Sequence, residues 1–299
     1  MKPVLQGLRW GILLGVLAAS ACGPVATAGP GCRPVRTAVE LPDDLRESSG
    51  VAVSLDHPEV IWSHNDSGSE LFALDRVGAL QGVWHLSPRL RDWEDLALST
   101  CPGGGSCLYA ADLGDNYEER RDIRVVRLRE PDPATASGAD PDTLEAEVFP
   151  VRLPEGPRDI EALVVLPGER VLAVTKGRNH PQTVYRYPGP LRPDTVTLER
   201  IQALSDGPRI LPRQITGGAA DPAGRIALRS YEALRFYRLE GDTLRLEEDG
   251  TVNLRTLQEP QGEGVSLGLD GEVVLSSEGG PGGGPAALNL LRCGPGRIQ

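Results

Sequence analysis

The chain is poor in aromatic residues, which make up 4% of it, so its core cannot be built around large rings. It has only two lysines, Lys2 and Lys176, and a formal net charge of -11. That balance excludes nucleic acid as a partner, because phosphate neutralisation needs basic patches. The four histidines, His57, His64, His85 and His180, are scattered and share no cysteine spacing, so no zinc site is indicated. The longest apolar run, Trp10 to Ala19, is short of the about 20 residues a membrane helix needs. What the chain has in quantity is glycine (36) and proline (26). With 39% hydrophobic residues over 299 positions, that favours many short strands and tight turns around a sizeable core.

The first residues read as an export signal. Lys2 and Arg9 form a positive region, the apolar run follows, and Ala19-Ser20-Ala21 offers a small-residue cleavage site. Cys22 comes next, so the segment resembles the lipobox of bacterial lipoproteins, with Ala19 where leucine is usual. A second site at Ala26-Thr27-Ala28 would instead cut later and release the chain. The expected organisation is a signal over 1–21, a linker over 22–31 and one domain over 32–299. The location is the cell envelope through a lipid on Cys22, or the medium. Four further cysteines remain. In an oxidising compartment the simplest pairing is Cys101–Cys107 and Cys32–Cys293, one of three that the sequence allows.

A short pattern recurs five times: an arginine, two variable residues, an acid or hydroxyl, a small residue or Asp, then an apolar run. The arginines are Arg46, Arg91, Arg158 and Arg213, with Pro260 in the last copy. The acid or hydroxyl is Ser49, Glu94, Glu161, Thr216 and Glu263 in turn. The intervals, roughly 45 to 67 residues, suit one four-stranded propeller blade per copy. The longest holds Pro131 to Asp142, which reads as a surface insertion. A sixth blade there would need another acid-plus-strand copy, and the stretch has none. The last copy runs out after three strands, and Pro34 to Leu41 supplies the fourth. The expectation is an all-β, five-bladed β-propeller, a single copy of the chain closed by pairing of its N- and C-terminal strands.

In such a ring the five equivalent positions converge on the axis. Ser49, Glu94, Glu161, Thr216 and Glu263 are therefore expected as oxygen ligands. Three carboxylates so close raise each other's pKa or recruit a cation, and calcium suits an irregular all-oxygen site. The ends of the second strands reach the same face. They bring Asn65, Asp66, Asp115, Asn116, Lys176, Arg178, Arg229, Tyr231 and Glu278, while Asp92, Asp95 and Asp159 flank the ring. Asp92, Asp95 and Asp115 are the candidates to activate water; the other second-strand residues are candidates to bind a small anionic ligand. Trp93 alternates away from Glu94 and is expected to pack between blades.

His64-Asn-Asp-Ser-Gly68, Asp92-Trp-Glu-Asp95, Gly114-Asp-Asn116, Asp159-Ile-Glu-Ala162, Gln261-Gly-Glu263 and Ser277-Glu-Gly279 together resemble a group of exported bacterial propeller proteins. That resemblance implies the fold and little chemistry. The ring order is also similar to that of calcium-activated nucleotidases (apyrases), five-bladed propellers with a central calcium. Their order is Ser, Glu, Glu, Ser, Glu, and here Thr216 replaces one serine. No counterpart of their nucleotide-contacting segments is present. Three functions follow as expectations: a calcium-binding envelope protein that docks a protein or glycan, a calcium-dependent hydrolase of phosphoesters or phosphoanhydrides, and an esterase or lactonase.

Overall fold

A computed structural model describes residues 31–136 and 141–294. The expected signal over 1–21 and Cys22 lie outside the described residues. Five sheets form the blades of a propeller, each built on four antiparallel strands, and those of blades 1 and 2 each carry one further short strand paired in parallel. Blade 1 is Ser48–Val53, Ile61–Asn65, Glu70–Leu74 and Leu80–Ser87. Blade 2 is Leu96–Thr100, Ser106–Asp112, Arg124–Arg129 and Glu147–Arg152. Blade 3 is Ile160–Leu166, Arg170–Thr175, Thr183–Arg186 and Glu199–Ala203. Blade 4 is Ile215–Ala220, Arg225–Ser230, Ala233–Glu240 and Thr243–Asn253. Blade 5 takes Gln261–Leu267, Glu272–Glu278 and Ala287–Arg292 from the end of the chain and Arg33–Glu40 from its beginning.

Both expected disulfides are present, and Cys32–Cys293 staples the closure. The insertion also has a structural use. Asp142–Glu145 pairs in parallel with the outer strand of blade 1, and Ala146 separates it from the fourth strand of blade 2. The stretch Asp142 to Arg152 thus serves two blades.

The core lies between the blades. Five apolar clusters fill the five interfaces between neighbours. Along Ile160–Leu166 the side chains alternate: Leu163 and Val165 pack toward blade 2, Ala162 and Val164 toward blade 4. Because both faces of an inner strand are covered, the strand reads as a continuous apolar run, and every residue of it is buried. Trp93 packs between blades 1 and 2, as its alternation implies.

The small residue after each ring position has a steric cause. A Cβ on Gly50 would lie 2.6 Å from the backbone nitrogen of Leu96, and one on Gly264 would lie 2.5 Å from the Ser49 carbonyl oxygen. The next blade's inner strand passes too close for a side chain. Blade 2 departs from this rule, because Asp95 stands there.

Candidate functional site

The inner strands enter the axis from one face, and the second strands end on that face. Side chains two apart on a strand share a side, so the residues two before each ring position form a second tier: Glu47, Asp92, Asp159, Gln214 and Gln261. Every member of both tiers is polar.

The structure draws the acids of these tiers into two groups. Glu94, Asp159 and Glu161 are all buried and offer oxygens that lie within 4.8 Å of one another. Burial and mutual repulsion, eased by Lys176, hold Glu94 well above the usual carboxylate range. Burial does the same to Glu161. Asp92, half-buried at the mouth, is raised by burial and shares a hydrogen bond with Glu94. The second group centres on Gln261, whose amide donates to Glu263 (2.9 Å) and Glu278 (2.7 Å). Burial pushes Glu263 up to about 7 and Glu278 up to about 8. Tyr231 lies against these acids, its hydroxyl pushed up by burial and by Glu263. Asp66 faces Glu47, Asp92 and Glu278, and its charge raises Glu47.

Lys176 is the cation inside this acidic mouth. Its ammonium is ion-paired with Glu161 and lies 3.9 Å from Asp159. Burial opposes its charge, but Glu161, Tyr231, Asp159 and Glu94 together raise its pKa. Arg178 lies 3.4 Å from Asp159 and donates to the Asn116 side chain (2.8 Å).

Several expected site residues are engaged elsewhere. Asp95 is fully buried inside the axis: its carboxylate accepts backbone N–H groups from Leu96, Leu163 and Gly218, and so ties the inner strands of blades 2, 3 and 4. Burial pushes it up to about 8 against these donors. Asp115 is buried and accepts the backbone N–H groups of Glu119 and Arg120, so it holds its own loop. Arg229 is fully buried, donates to the carbonyls of Gly264 and Ser276 and pairs with Glu259. Asn65 accepts from the Glu47 amide and donates to the Asp44 carbonyl. The Ser49 and Thr216 hydroxyls donate to the backbone carbonyls of Glu94 and Glu263, so each braces the next blade. Three of the four repeat arginines meet an acid: Arg46 with Asp43, Arg91 with Asp122 and Arg213 with Glu232.

A histidine that the sequence left unassigned lies under the mouth. His64 stacks on Trp93 with ring centroids 3.7 Å apart. Its Nε2 accepts the Gly50 amide and its Nδ1 faces the Asn65 carbonyl, which assigns the neutral Nδ1–H tautomer. Burial pulls its pKa down to about 4.

The donor set is all oxygen, and the buried Asp159 Oδ2 accepts no hydrogen bond. A hard divalent cation fits such a set. The cluster replaces the expected ring in part: Glu94 and Glu161 belong to it, Asp159 joins from the second tier, and Glu263 lies with Gln261 instead.

No protein-family model matches the chain, and no curated protein matches it. Among solved structures it is similar to the PQQ-bound aldose sugar dehydrogenase of Streptomyces coelicolor, at 12% identity and a TM-score of 0.54, over 87% of this chain and 97% of that one. It is also similar to a gluconolactonase from Xanthomonas campestris, at 13% identity and a TM-score of 0.44, over 91% and 98%. At these identities the likeness shows the propeller fold alone.

Proposed function

We propose that this chain is an exported, calcium-dependent hydrolase of uncharged carboxylic esters or lactones. The observation that carries the reading is the buried Glu94, Asp159 and Glu161 cluster beside the half-buried Asp92. Those three carboxylates would hold the cation, which would polarise a carbonyl oxygen at the mouth. Asp92 is the group placed to take a proton from water. Burial raises its carboxyl above the usual carboxylate range, which makes it a stronger base than a free aspartate. Lys176 keeps Glu161 oriented, and the Gln261 amide ties Glu263 to Glu278.

Charge favours an ester over a phosphate. A phosphoanhydride needs free cations, but Arg229 is committed to backbone and Glu259, Lys176 to Glu161, and Arg178 to Asn116 and Asp159. The mouth retains an excess of acids, which repels a polyanion.

The test is a panel of aryl esters and lactones with the purified protein, in calcium and in chelator. Turnover should need calcium, and Asp92→Asn should lower kcat by about a hundredfold or more with an unchanged melting temperature. If calcium stabilises the fold while every ester and lactone is left intact, the hydrolase reading is wrong. The alternative is then a calcium-stabilised platform for an envelope protein or glycan. One observation favours that reading: Asn65, Asp115 and Arg229 are spent on stiffening the face.

A further inference from the structure

A second site lies away from the axis. Between blades 3 and 4, on the face of the acidic mouth, a cleft of about 270 Å³ is lined by Arg209, Arg213, Arg235, Glu232, Gln182 and Tyr237, among others. In a chain of net charge -11, a cleft where three arginines face one carboxylate is a local inversion. That carboxylate is already shared, since Glu232 pairs with both Arg213 and Arg255. Arg209 and Arg235 are half-buried, and among the described residues their guanidinium groups have no hydrogen bond or ion pair. A partly desolvated guanidinium without a partner is unfavourable, and an oxyanion that takes its paired N–H donors relieves the cost.

The same loop carries a second signal. Ile210 and Leu211, between Arg209 and Arg213, are 69% and 63% exposed. Two adjacent large aliphatic side chains held in water beside a cationic cleft match a ligand with an anionic head and an apolar tail. We infer that this cleft binds a phosphate-type oxyanion carried by an amphiphile, the chemistry that an anionic phospholipid presents. The inference is independent of the hydrolase reading, because none of these residues belongs to the acidic mouth.

The experiment is calorimetric titration of the full chain with short-chain dihexanoyl phosphatidylglycerol below its micellar concentration. Dihexanoyl phosphatidylcholine is the zwitterionic control, and inorganic phosphate is the headgroup alone. Phosphatidylglycerol should bind, more weakly as salt rises. Arg209→Ala and Arg235→Ala should each weaken it about tenfold, with Arg235→Lys between, since lysine keeps the charge but not the planar fork. Leu211→Ser should weaken phosphatidylglycerol and leave inorganic phosphate unchanged. Equal binding of the two lipids, or arginine variants without effect, overturns the oxyanion site. Inorganic phosphate as strong as phosphatidylglycerol, with Leu211→Ser silent, overturns the amphiphile. Circular dichroism of each variant without ligand separates loss of fold from loss of binding, and Arg235→Lys serves where the alanine does not fold.

Discussion

His64 shows what a single buried side chain contributes. Its ring is stacked on Trp93, accepts one amide and donates to one carbonyl, all as the neutral form. The free residue titrates near 6.5 and the folded one near 4. The unfolded chain therefore binds the proton first, so this contribution is fully present above 6.5 and lost as the pH falls toward 4. The loss is on the order of 3 kcal/mol. Glu278 acts in the opposite sense: raised to about 8, it favours the fold at low pH and loses that advantage as the pH rises through 8. Urea unfolding across pH 4 to 7 should show His64→Gln losing less stability than the unsubstituted chain as the pH falls, and the difference between the two isolates this limb from the raised carboxylates, Glu278, Glu263 and Asp95 among them. An unchanged slope would mean that His64 is not the group responsible. None of this was legible in the sequence, where His64 stands in a turn-like Asn-Asp-Ser-Gly context. Asp95 was hidden for a similar reason. Next to Glu94 it reads as one more acid at the mouth, yet alternation along the strand turns it the other way, onto the amides of blades 3 and 4.

At the scale of the strand, the repeat was readable because the inner strand has one demand at each step. An acid or hydroxyl faces the axis, a small residue clears the next blade, and apolar residues fill two interfaces. The period of two also placed Asp159 on the side of Glu161, so the second tier was available from the spacing alone. What the spacing could not give was how the acids of the two tiers divide into two groups, since that depends on the contacts of Lys176 with Glu161 and of Gln261 with Glu263. The two disulfides differ by the chain they enclose. Cys32 and Cys293 are 261 residues apart, Cys101 and Cys107 only 6. Serine variants should cost roughly 5 kcal/mol at the first pair and roughly 2 kcal/mol at the second. Denaturant unfolding of each variant checks that order, and equal losses would mean that loop closure is not what the long bridge contributes.

For the molecule as a whole, five blades and their closure follow from a repeat count and the missing last strand, and both disulfides are the simplest of the three pairings that the sequence allows. The acids are a different matter, because a propeller gains nothing in packing from carboxylates on its axis. Calcium at 100 times its dissociation constant should stabilise the fold by about 2.7 kcal/mol, read as a raised melting temperature. Glu161→Gln should abolish the rise. A rise that survives this substitution would place the cation elsewhere, and no rise with calcium would leave Lys176 as the axis's own counter-ion.

The staple at the seam has a mechanical meaning. Cys32 immediately precedes Arg33–Glu40, the outermost strand of blade 5, and Cys293 immediately follows its neighbour Ala287–Arg292. Tension applied through the residues before Cys32 would otherwise peel that outer strand from its end, one hydrogen bond after another. With the bridge in place the load bypasses the strand and passes through a covalent bond into the sheet interior. A propeller held by its leading end can then be pulled on without its ring unzipping, for as long as the surroundings keep that one sulfur pair oxidised.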